Sequence, residues 1–139
     1  MGCVSWSRVT IPETMPGLVG APTRGLGVVL TARGVDLHVP ALSGVEMVSA
    51  LRGLVLRRLL SPERAEEALD NYLDLPLVRH GHLPLLRRAF HLRSHFSACD
   101  ATYVALAEAL GEALGAALCT ADDRLAATVR VHTGLALSG

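Results

Sequence analysis

From Gly34 onward the sequence alternates short apolar, β-branched runs with longer stretches in which apolar residues return every three or four positions. Two periodicities taking turns along one chain bring the strands into a common sheet and the helices onto its faces, because neither kind of element can bury its apolar side alone. The first run, Val35-Asp-Leu-His-Val-Pro40, is an alternating strand that stops at its proline. In the helix expected after it, Val45, Val48, Leu51, Leu54 and Val55 recur at helical spacing, with Arg52, Arg57 and Arg58 turned toward solvent or a partner. Ser61-Pro62 then supplies a cap and a proline at the first position of an amphipathic helix reaching about Leu73. Residues 75–79 read as a strand, 84–96 as a helix, and 98 to about 114 as a helix started by Ser97. Residues 116–120 read as a buried strand, 122–127 as a short helix and 129–132 as the closing strand. The expected fold class is α/β, a mostly parallel sheet flanked by helices.

Residues 1–33 are of another character. Pro12, Pro16, Pro22 and several glycines interrupt both periodicities, and Glu13 is the one acid before Asp36. Val4, Trp6, Val9 and Ile11 make residues 3–11 the candidate for a first strand. The organisation expected is an atypical, poorly packed segment over 1–33 and a packed domain over 34–139. With 139 residues, half of them hydrophobic, the chain has material for one core and not for a second domain.

Charge and cysteine usage narrow the classes of function. Thirteen basic and thirteen acidic residues cancel, which excludes the broad basic footprint of a duplex-binding protein and leaves only local contact with phosphate. Every basic residue is arginine, a bias that fits a GC-rich coding sequence. Cys3, Cys99 and Cys119 are an odd, widely spaced set with no Cys-x-x-Cys or zinc pattern, which fits a reducing cytoplasm. No apolar run is long enough to span a bilayer, and the opening residues lack the charged and apolar regions of a secretory signal. His91 and His95 lie one turn apart, but no Glu joins them in a zinc motif, and they read as a polar helix face.

The candidate chemistry lies at helix starts. Ser43-Gly-Val-Glu46, Ser97-Ala-Cys-Asp100 and Thr120-Ala-Asp122-Asp123 each place an acid two or three residues after a hydroxyl. Singly, each is a cap whose acid complements the helix dipole. Together, a sheet of this topology would gather Glu46, Asp100 and Asp122 at the edge formed by the strands' carboxyl ends. Like charges so gathered call for a cation, and oxygen-only ligands favour Mg²⁺ or Mn²⁺, ions that activate water and neutralise charge on a phosphodiester.

The run Val39-Pro-Ala-Leu-Ser-Gly-Val-Glu46-Met-Val-Ser-Ala-Leu-Arg52 resembles the second block of VapC-type PIN-domain ribonucleases. Ser97-Ala-Cys-Asp100-Ala-Thr-Tyr-Val-Ala-Leu-Ala-Glu108-Ala-Leu and Leu118-Cys-Thr-Ala-Asp122-Asp-Arg-Leu-Ala126 resemble the later blocks, in order, so the likeness covers about Arg33 to Gly139. The resemblance implies a PIN-like fold and an Mg²⁺- or Mn²⁺-dependent endoribonuclease in which Glu46, Asp100 and Asp122 are catalytic metal ligands, with Asp123 as an accessory. It also implies the toxin of a type II toxin–antitoxin pair, homodimeric and silenced by a small cognate antitoxin, with RNA as substrate and no membrane association.

The chain departs from the family pattern in two respects. The family opens with a hydrophobic strand ending in Asp, and no Asp precedes Asp36 here. The repeat Glu108-Ala-Leu-Gly111-Glu112-Ala-Leu-Gly115 lengthens the interval from Asp100 to Asp122 by about one helical turn, roughly 6 Å, which a longer helix ending at Gly111 or Gly115 would absorb. The missing acid leaves an alternative, a catalytically impaired PIN-like module that still binds an antitoxin or itself. A frameshift or a misassigned start would account for both the composition of the first 33 residues and the lost Asp.

Overall fold

A computed structural model of the chain describes residues 28–30, 37–114, 117–119 and 123–138. Among them lie five strands, β1 Val28–Leu30, β2 Leu37–Pro40, β3 Leu77–His80, β4 Ala117–Cys119 and β5 Leu137–Ser138. The helices are α1 Leu42–Leu56, α2 Pro62–Asp74, α3 Leu86–His91, α4 Ala98–Leu114 and α5 Asp123–His132, with a single 3₁₀ turn at Leu83–Leu85. The strands form one sheet in the order β3-β2-β1-β4-β5. β2 and β3 are parallel, β4 and β5 are parallel, and β1 runs antiparallel to both β2 and β4. All strands except the central one therefore point the same way, and the α/β class expected from the sequence holds.

The reversal of β1 follows from chain length. Residues 31–36 alone separate it from β2, whereas a parallel crossover needs a dozen residues or more. A segment so close in sequence can enter the sheet beside β2 only as a hairpin partner. Residues 3–11, the first-strand candidate, lie outside the described residues.

Register assigns the layers. Leu37 and Val39 of β2 share a face with Leu77, while His38 pairs through Val29 with Leu118, which places those side chains on the opposite face. On the first face α1 and α2 pack, and Leu37, Val39, Met47, Leu51, Ala68 and Tyr72 form a buried cluster. On the second, α3, α4 and α5 pack around Leu118, with Ala89, Leu92, Phe96, Val104 and Val129 buried there. β2 is buried along its whole length, as expected of a strand covered on both faces. Its one polar side chain, His38, meets His80 of β3 through Nδ1 and Nε2 at 2.8 Å.

Several local expectations are corrected. Ser43 is not a cap: α1 starts at Leu42, Ala41 occupies the cap position, and the Ser43 hydroxyl is fully buried 2.6 Å from the Tyr72 hydroxyl. The buried stripe of α1 is Ser43, Met47 and Leu51, while Val45 and Val48 are 73% and 50% exposed. A helix apolar nearly all round does not declare its inner face, and the Ser43–Tyr72 pair sets it here. Residues 129–132 are not the closing strand: α5 continues to His132 because Leu125 and Val129 bury at helical spacing, and the chain closes in β5 instead. The helix expected over 84–96 is divided into the 3₁₀ turn, the short α3 and a run of turns in which Leu92 and Phe96 bury. Two capping expectations hold: the Ser61 hydroxyl accepts from the Arg64 amide, and that of Ser97 accepts from the Asp100 amide. α4 runs through Gly111 to Leu114, so the repeat lengthens the helix by a turn.

Candidate active site

Because β2, β3, β4 and β5 share a direction, their carboxyl ends lie along one edge, and α1 leaves that edge two residues after Pro40. Glu46 stands in the second turn of α1 on the first face of the sheet, and Asp100 in the first turn of α4 on the second. A side chain of α4, Tyr103, reaches Glu46 on α1. Asp100 lies near enough for its charge to act on Glu46.

Glu46 is half-buried. Its carboxyl is pushed up to about 7, first by burial and further by the Asp100 charge, with a hydrogen bond from Tyr103 acting in the opposite direction. The Tyr103 hydroxyl donates to Oε1 of Glu46 at 2.8 Å. Tyr103 is 3% exposed, and burial followed by the Glu46 charge holds its phenol far above the usual range, so it is a permanent donor. Behind it, Tyr72 of α2 joins Ser43, one turn before Glu46. α1 is thus held in its first two turns by a hydroxyl from α2 and another from α4.

Beside Glu46 is an open groove of about 280 Å³, walled by Val45, Ser49, His82, Leu86, Cys99 and Thr102. Glu46 is the acid in this apolar lining. Of the other acids singled out in the sequence, Asp122 lies outside the described residues. Asp123 is the first residue of α5, which follows β4 at the same edge. Glu13 also lies outside. Among the described residues no group of three or more His, Cys, Asp or Glu side chains is arranged to hold a metal. His91 closes α3, and His95 stacks on His132 with ring centroids 3.6 Å apart.

The sequence motifs assign Tyr103 no role of its own and do not pair Ser43 with Tyr72. The signal for Tyr103 was its spacing: three residues after Asp100, it shares that acid's helix face, where a phenol among alanines needs a partner for its hydroxyl. Nothing in the local sequence joins Ser43 to Tyr72, 29 residues away.

The sequence is similar to those of known proteins. No family model matches the chain. Ribonuclease VapC12 of Mycobacterium tuberculosis (strain ATCC 25618 / H37Rv) is 40% identical to it over 102 residues, 73% of this chain and 76% of that protein. The chain belongs to the VapC family of PIN-domain ribonucleases. Ribonuclease VapC9 of the same strain is 42% identical over 92 residues, covering 66% of this chain and 69% of its own length. Ribonuclease VapC3 is 36% identical over 90 residues, 65% of this chain and 63% of that protein. In this VapC chain the amino end of β1, Val28–Leu30, lies at the edge to which the carboxyl ends of β2 and β4 lead. Among the described residues no helix is long and apolar enough to cross a membrane.

Proposed function

We propose that the chain is a metal-dependent endoribonuclease and the toxin of a type II toxin–antitoxin pair, acting in the cytoplasm through Glu46, Asp100 and Asp122, with Asp123 as an accessory. The observation that carries this reading is the tie between the two acid-bearing helices: Tyr103, one turn after Asp100 on α4, donates to Glu46 of α1 at 2.8 Å. The carboxylate oxygens of Glu46 and Asp100 are the hard donors that a divalent cation such as Mg²⁺ or Mn²⁺ takes. Such a cation, when bound, supplies Lewis acidity and charge neutralisation for phosphodiester hydrolysis.

The protein's own groups do the rest. Glu46 and Asp100 hold negative charge at the edge, and Glu46 must lose its proton to act as a ligand. The groove walls of Val45, Leu86 and the neighbouring side chains limit water on one side of the carboxylate. Exposed Val45, Val48, Leu83 and Phe90 support a partner surface, and we assign it to a small cognate antitoxin or a second copy of the chain. In this reading residues 34–139 are the PIN-like domain and 1–33 an atypical addition.

A second reading is favoured by β1. β1 presents its amino end to the edge, and none of its three residues is an acid. On that reading the chain is an impaired module that retains antitoxin or self binding. Cleavage of a mixed RNA pool by the purified chain, in Mn²⁺ and in EDTA, separates the two. Cleavage that requires the metal supports the nuclease. No cleavage together with tight binding of the antitoxin supports the impaired module, and cleavage undiminished in EDTA contradicts the metal centre.

A further inference from the structure

Glu46 is held by a side chain from α4, the helix that carries Asp100. Tyr103 lies three residues after Asp100 on α4, so its phenol and the Asp100 carboxyl leave the same helix face. From there the phenol crosses to α1 and donates to Oε1 of Glu46 at 2.8 Å, a contact between residues 57 apart in sequence. The ring has little freedom, being 3% exposed and flanked along α4 by Ala101, Val104, Ala105 and Ala107, all buried. A carboxylate on a surface helix ordinarily samples several rotamers, whereas this one is fixed by a donor that is itself fixed.

We propose that Tyr103 is the positioning residue of the acidic centre: by engaging Oε1 it sets the distance between Glu46 and Asp100 and presents Oε2 of Glu46 to a divalent cation. The inference rests on the metal-centre reading above. It goes beyond that reading by assigning the outer hydrogen bond that aims a ligand, a kind of contact whose loss typically weakens metal affinity 10- to 100-fold. The packed phenyl ring keeps α4 in place, and the hydroxyl alone orients Glu46. Tyr72 provides the internal comparison, because its hydroxyl makes a buried contact with α1 at the Ser43 hydroxyl and not at a carboxylate.

The test is Mn²⁺ titration calorimetry on the full-length chain. Tyr103→Phe, which keeps the ring, is expected to bind Mn²⁺ about tenfold more weakly. Tyr72→Phe is expected to bind as the unmodified protein does, although it also loses a buried hydroxyl. Glu46→Gln is expected to lose most of the affinity, and Tyr103→Phe added to Glu46→Gln to change nothing more. If Glu46→Gln abolishes binding and Tyr103→Phe leaves it intact, the positioning role is overturned and the metal centre stands. If Glu46→Gln itself binds normally, the metal centre fails and the positioning role with it. A second measurement needs no substitution: the chain has two tyrosines, so 3-fluorotyrosine labelling gives a fluorine resonance for each. Mg²⁺ is expected to shift that of Tyr103 and leave that of Tyr72 in place, and equal behaviour of the two overturns the proposal.

Discussion

Glu46 bears opposing demands, because a half-buried carboxyl beside a second acid is a poor choice for stability and a good one for holding a cation. Its ordinary value of 4.5 rises to about 7 in the folded chain. Between those values the folded state keeps a proton that the unfolded state has released, so this group's contribution to stability falls as pH rises from 4.5 through 7 and stays lost above it. Glu46→Gln removes the charge and keeps an oxygen for the Tyr103 hydroxyl. In EDTA it should melt higher than the unmodified chain at pH 8, with the gap shrinking toward pH 5. An equal gap at both pH values would show that the carboxylate is not strained by its surroundings. The neighbouring pair makes the contrasting case. Tyr72→Phe leaves the Ser43 hydroxyl buried without its partner and should cost about 1–3 kcal/mol in urea denaturation at any pH.

At the level of elements, what could be read in advance depended on whether the deciding information was local. Caps at Ser61 and Ser97 and the length of α4 are written in neighbouring residues, and they appear as expected. The inner face of α1 is not, because Val45, Val48 and Met47 are alike in hydropathy and only Tyr72 of α2 chooses among them. Likewise Val129 and Val131 suit a strand until Leu125 and Val129 are seen to share a helical face on the core. Crossover handedness sends the starts of α1 and α4, with Glu46 and Asp100, toward one edge, although the cap expected at Ser43 is absent. Tyr103 could not be found in this way, since its role appears only when α1 and α4 face each other. Elements this short depend on single side chains: β4 spans three residues, and its Leu118 is fully buried at the centre of the larger cluster. Leu118→Ala should destabilise the chain by about 2–5 kcal/mol in chemical denaturation. A cost below about 1 kcal/mol would mean that β4 does not anchor the second layer.

The whole molecule is a sheet with a reversed centre. β1 fills the central slot, pairs with both β2 and β4, and has no carboxylate among its three residues, Val28–Leu30. Fewer ligands and less charge suit an ion that tolerates imperfect geometry, so Mn²⁺ should support more activity than Mg²⁺. The most direct measurement is the rate at which the purified full-length chain cuts a mixed RNA pool in Mn²⁺, with and without Asp100→Asn, a change that keeps the side chain's shape and removes its charge. Slow, Mn²⁺-dependent cleavage that falls at least a hundredfold in Asp100→Asn is the predicted result, the order of loss expected when a group that stabilises transition-state charge is removed. Cleavage at the same rate in Asp100→Asn would contradict a centre built from Glu46 and Asp100.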